Sequence, residues 1–123
     1  MIIVMTLPHD IAAYNNAQVG PDGEICEALS AQIARDLSDA ESKVWHGHPV
    51  WFCDGNPVAG YSVRKSGVQL LFWSGQSFGE EGLDDEGTFK AAQKIYVDAS
   101  EIDADDLTRW LGKARDIQWD YKN

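Results

Sequence analysis

Cysteine is scarce in this chain: Cys26 and Cys53 are the two among 123 residues. Two thiols cannot build the disulfide framework of a small secreted domain. Cys26 falls in a helical pattern and Cys53 in a strand pattern, so both read as reduced, buried thiols. A Cys26–Cys53 bridge stays open as the alternative, because it depends on a Cα separation that sequence does not give. Basic residues are also few. Ten Lys and Arg stand against twenty Asp and Glu, for a formal charge of -10. That balance excludes a general affinity for polyanions, so neither nucleic acid nor an anionic membrane is an expected partner. Long apolar runs are missing, and with them any transmembrane helix. The opening Met1-Ile2-Ile3-Val4-Met5 is too short for a signal peptide and lacks a basic lead. The expected location is cytoplasmic, and Met5 is an alternative start. Internal repeats, low-complexity tracts and linkers are absent, so residues 1–123 read as one domain.

Apolar residues are plentiful. They make up 44 % of the chain, with five Trp, which excludes a disordered chain and supports one modest core. A short helix is expected over residues 10–15. A longer one starts near Asp22, and Ile25, Leu29, Ile33 and Leu37 repeat every four residues along it. Extended segments follow at Val44-Trp45-His46, at residues 50–53, 58–63 and 68–73, and at Lys94-Ile95-Tyr96-Val97. Gly47 and Pro49 interrupt the first, and Asp54-Gly55-Asn56-Pro57 reads as a reverse turn. Short loops between these strands imply antiparallel hairpins. The stretch from Ser74 to Gly87 holds four Gly and five acids and reads as a long loop, pinned by Phe78 and Leu83. A last helix starts at Asp103, with acids first and Arg109, Lys113 and Arg115 later, in the order its dipole favours. Trp119 and Tyr121 form a short aromatic tail. The expected class is α+β: a two-layer fold in which an antiparallel sheet of about five strands carries the N- and C-terminal helices on one face.

Asp39-Ala40-Glu41, then Val44-Trp45-His46-Gly47-His48-Pro49-Val50-Trp51-Phe52, then Asn56-Pro57, Gly60-Tyr61 and Leu70-Leu71-Phe72 resemble the YdhG-like family, domain of unknown function 1801. The resemblance spans residues 10–119. It implies a secretion-chaperone-like α+β fold. Because a relative is described as a frataxin-like iron chaperone, it also implies iron as a cargo of surface carboxylates. No ligand motif carries over residue by residue, and residues 74–87 match no part of the family pattern.

Each chemical motif has a plainer competitor. Gly75-Gln76-Ser77-Phe78-Gly79 matches the nucleophile elbow G-x-S-x-G, but no helical pattern follows it and no His comes after Ser77. His46 and His48, two apart on a strand, would face one side as metal ligands, with Cys53 or His9 as a third. A Cys53–His pair would be a nucleophile and its base, yet a Cys among aromatics is more often core. Glu80, Glu81, Asp84 and Asp85 are weak metal candidates. Asp98 through Asp106 fails as a calcium loop and reads better as a helix start. Carboxylates around Gly75, Gly79 and Gly82 exclude a phosphate cradle.

The aromatic residues are the most unusual feature. Trp51 and Phe52 must point in opposite directions, and so must Phe72 and Trp73, so one of each pair faces the helices. The others line a groove or a partner surface. His48, Trp51, Tyr61 and Trp73 are the candidate ligand-binding set. The expectation is therefore a non-enzymatic binding or chaperone-like domain, monomer or homodimer, with a protein partner or small ligand. Iron handling is one reading, and a module using outward-facing aromatics is the other.

Overall fold

The computed structural model describes residues 7–88 and 90–118. The alternative start at Met5 and the tail at Trp119 and Tyr121 lie outside the described residues. Helix α1 spans His9–Asn16 and helix α2 spans Pro21–Asp36. Ile25, Cys26, Leu29 and Ile33 form the buried stripe of α2, as their spacing predicts. Its start differs from the expected cap at Asp22. Gly20 holds the N-cap position with φ of 62°, and Pro21 opens the helix. Proline's missing N–H costs nothing in a first turn, and its fixed φ is already helical. Asp22 and Glu24 remain in that turn, at the positive end of the dipole.

The strands are β1 (Glu41–Trp45), β2 (His48–Cys53), β3 (Asn56–Arg64), β4 (Gly67–Phe72), β5 (Asp84–Asp85) and β6 (Ala92–Tyr96). They form one antiparallel sheet in the order β1-β2-β3-β4-β6-β5. The sixth strand, β5, is two residues long and lies in the stretch read as pure loop.

Pro49 and Pro57, expected as interruptions, lie inside β2 and β3. The hairpin turns explain this. His46-Gly47 and Asp54-Gly55 are two-residue loops, with φ of 52°, 89°, 55° and 81°. Such turns follow the right-handed twist of the strands. They make Trp45↔His48 and Cys53↔Asn56 the hydrogen-bonded closing pairs. The next pairs, Val44↔Pro49 and Phe52↔Pro57, then fall where the ladder asks for no N–H.

Alternation along the strands sends Trp51, Tyr61, Leu70, Phe72 and Tyr96 to one face. There they join Ile11, Leu29, Ile33, Trp110 and Leu111 in a single core. Helix α3 (Ala104–Asp116) lies on the same face, and Asp103 caps it by accepting the Asp106 N–H at 2.9 Å. Buried polar groups on this face are paired. Tyr61 Oη donates to Asn15 Oδ1 at 2.6 Å, and Asn15 Nδ2 donates to Ser30 Oγ at 3.0 Å. This chain of bonds ties β3 to both N-terminal helices and fixes how α1 docks. Burial pushes the Tyr61 hydroxyl well above its ordinary pKa, so it remains a donor.

Residues 74–87 are fastened to the body. Phe78 and Leu83 are buried in the core, and Phe78 lies 5.6 Å from the Phe72 ring. Gln76 is held at both ends, its N–H by the Lys90 carbonyl and its side-chain amide by that of Ala91, each at 2.9 Å.

Candidate functional site

The two faces of the sheet differ in what covers them. The helices close the inner face, while no described helix packs on the outer face. Register places Lys43 and Trp45 of β1, His48, Val50 and Phe52 of β2, and Gly60 of β3 on that outer side. Trp73, one residue past the end of β4, joins them. The Trp45 ring lies 5.4 Å from Phe52 and 6.3 Å from Trp73. All three aromatics are half-buried, and Val50 beneath them is fully buried.

Gly60 makes this arrangement fit. A Cβ there would lie 2.6 Å from the Pro49 carbonyl and 3.4 Å from the Trp73 ring. A Cβ would therefore clash with the β2 backbone at Pro49, while it would only touch the Trp73 ring. The Lys43 ammonium stands 5.2 Å from the centre of the Phe52 ring. A hollow of about 400 Å³ runs beside them, lined by Glu41, Lys43, Trp45, Phe52 and Pro57 among others. Toward β6 the same face turns polar: Arg64 Nε donates to Ser62 Oγ, Ser62 Oγ to Gln69, and Gln69 to Gln93 and Glu86.

The four expected ligand-binding residues are divided between the faces. Trp51 and Tyr61 pack together in the core at 6.0 Å, 1 % and 2 % exposed. A surface ligand cannot reach them. His48 and Trp73 are on the open face. Phe52, Trp45, Lys43 and Gly60 complete that face and were absent from the expected set. Counting alternation through a two-residue turn at His46-Gly47 would have placed Trp45 beside Phe52.

The histidine pair separates differently from its i, i+2 reading. His46 is in the hairpin turn at positive φ, its ring 4.3 Å from Trp45, and His48 begins the next strand. Burial, aided by Arg64 and His46, lowers the His48 pKa and keeps it neutral at pH 7. Cys53 faces the inner side and His48 the outer, which breaks the nucleophile–base pair. Burial and Asp54 raise the Cys53 pKa as well. Both thiols are free, and burial pushes that of Cys26 up to about 12. A smaller hollow of about 250 Å³ lies between the end of α2 and the Asp54 turn, where Asp36, Asp39, Cys53 and Arg115 meet.

The acids are largely committed. Glu80 is 9 % exposed and accepts from Arg109 Nη2 at 2.8 Å, from Trp110 Nε1 at 2.9 Å and from Lys113. These donors hold its carboxyl well below the usual range. Its oxygens are therefore occupied, which removes it as an open metal ligand. Asp98 accepts the Ser100 N–H, and Glu101 accepts those of Val97 and Asp98, so both cap a 3-10 turn. Glu81, Asp84 and Asp85 are exposed, with Asp84 and Asp85 in β5. Among the described residues, no three His, Cys, Asp or Glu side chains gather as a metal site. Ser77 of the G-x-S-x-G match is exposed on a three-residue 3-10 turn, with no helix behind it. No helix among the described residues is long and apolar enough to cross a membrane.

No known family profile matches the sequence, and no curated protein matches it. A solved structure does match in fold: YdhG, a protein of the DUF1801 family from Bacillus subtilis. The TM-score is 0.64 at 14 % sequence identity, covering 85 % of this chain and 86 % of that one. The fold implied by the resemblance is the fold observed.

Proposed function

We propose that this chain, which has the DUF1801 fold, is a binding module whose ligand surface is the outer sheet face at Phe52 and Trp73. One observation carries the reading. Phe52 and Trp73 stay half-buried over Val50 and Gly60 on a face where no described helix packs, while the opposite face is closed by helices. Aromatic surface held half-open in this way stabilises the fold less than it would in the core, and such patches commonly mark recognition sites. Iron handling, the other reading, finds less support: Glu80 is saturated by its own chain, and the remaining candidate acids are dispersed.

The test is amide-shift mapping by NMR with 2-naphthylmethanol, a neutral aromatic probe. The expected result is saturable shifts on β1 to β4 that disappear in Trp73→Ala and persist in Arg35→Gln. Shifts confined to the hollow at Cys53, or none at all, would overturn the reading.

A further inference from the structure

The described donors to Glu80 all come from helix α3, while Glu80 itself belongs to the segment that crosses over that helix. Arg109 closes on the carboxylate as a fork, with Nε donating to Oε2 at 3.0 Å and Nη2 to Oε1 at 2.8 Å. Trp110 Nε1 donates to Oε1 at 2.9 Å. The Lys113 ammonium donates to Oε2 and to the Phe78 carbonyl. Paired N–H bonds from one guanidinium, with an ammonium beside them, are a geometry by which proteins recognise a carboxylate. The donors have anchors of their own. Trp110 is 3 % exposed and packs 6.2 Å from the Phe72 ring, and Arg109 also donates to Asp106 at 3.0 Å, on its own helix.

The segment that carries Glu80 is held more lightly. Gly79 and Gly87 bracket it at φ of 68° and 70°, and a Cβ at either would meet nothing within 4 Å. Glycines with that much room can change φ and ψ without a clash, as hinges require. Between them Glu81, Asp84, Asp85 and Glu86 are exposed, and Gly82 rests on Trp110, where a Cβ would lie 3.0 Å from the ring. Its other described fastenings are Leu83, at 9 % exposure, the two β5–β6 residue pairs, and the bonds of Glu86 to Gln69 and to the Ala91 carbonyl. We infer that residues 80–86 are a hinged strap, and that Glu80 plugs a carboxylate-binding site made by Arg109, Trp110 and Lys113. When the strap swings out, the donors stay on α3 and take the carboxylate of another molecule. The strap carries five acids away with it, so opening also removes charge that repels an incoming anion. In the closed state the tethered Glu80 competes at an effective concentration of about millimolar or more, which keeps weak free carboxylates out. The site lies on the helix side of the sheet and is independent of the outer-face reading above.

The test has two arms. The first is native-state hydrogen exchange of the wild-type chain by NMR at low urea. The Glu86 amide, bonded to Ala91, is expected to open at least about tenfold more often than the Leu29 amide of α2, with little dependence on urea. Equal opening with equal urea dependence would show that the segment leaves only when the whole molecule unfolds, and would overturn the strap. The second arm follows the Trp110 Nε1–H resonance of Glu80→Ala during titration with sodium acetate, against sodium chloride at equal ionic strength. A saturable shift is expected with acetate alone, weakened about three- to tenfold by adding Lys113→Gln. No acetate-specific shift, or one unchanged by Lys113→Gln, would overturn the site. Should Glu80→Ala fail to fold, the wild-type chain serves instead. Acetate at about 0.5 M is then expected to raise opening at Glu86 about threefold or more over chloride, because it binds only the open state, and to leave Leu29 within about twofold. Equal opening in the two salts would overturn the site.

Discussion

Phe72 and Trp73 are neighbours in sequence and lie in different environments. Phe72 is fully buried on the inner face, 5.6 Å from Phe78 and 6.2 Å from Trp110. Trp73 is half-buried on the outer face, resting over a glycine. The same contrast holds for Trp51 and Phe52. The inner face is closed by complementary side chains, so its aromatics contribute to stability. On the outer face, Phe52 and Trp73 stay half-buried where no described helix packs. Hydrophobicity alone does not separate the two groups; what packs over them does.

The strongest way to break this comparison is a pair of truncations measured by urea unfolding. Phe72→Ala is expected to cost about 3–5 kcal/mol, through lost burial and the cavity left behind. Trp73→Ala is expected to cost about 1–2 kcal/mol, because its ring is half in water already. Equal costs would show that the outer aromatics are a second core, and the binding reading would lose its basis.

A second test concerns the acids. Glu80 is bound by donors from three residues, whereas Glu81 is exposed. Glu80→Gln is expected to cost about 1–2 kcal/mol, after allowance for the exposure of Arg109. Glu81→Gln is expected to change stability by less than about 0.5 kcal/mol. The pH dependence has a definite sign. The folded carboxyl of Glu80 has a lowered pKa, so its contribution is complete above the ordinary value of 4.5. It drains away as the pH falls from there toward the folded value. Wild type should therefore lose stability on acidification below about pH 4.5 more steeply than Glu80→Gln. Parallel curves would show that the cluster is surface decoration.

The smallest expected effect distinguishes the two thiols. Cys26 is fully buried with its pKa raised to about 12, and Cys53 is half-buried. Maleimide at pH 7.5 should label Cys53 slowly and leave Cys26 unlabelled until urea is added. Equal labelling of both in the folded protein would contradict the packing of α2.

Much of the fold was legible because periodicity reports burial directly. The repeat from Ile25 to Leu37 identified α2, and Asp103 with its following acids identified α3. Strand alternation required opposite directions at Trp51-Phe52 and Phe72-Trp73. The strand ends were less legible. Pro49 and Pro57 read as breakers until the turns fixed which pairs lack a ladder bond, and that register is a property of two strands together. The placement of the candidate residues was only partly legible. Of the four expected ligand residues, Trp73 and His48 lie on the outer face, whereas Trp51 and Tyr61 are buried in the core. Sequence shows that side chains alternate and does not show which side the helices will cover.

By itself, then, the sequence determined the α+β class, the helix stripes, the antiparallel connectivity and the acidic charge, because each is a local or summed property of the chain. The tertiary structure decided which aromatics were closed in and which carboxylates became caps or ion-pair partners. Those outcomes depend on side chains distant in sequence meeting in space, as Glu80 meets Arg109 and Lys113, and no local pattern specifies such a meeting.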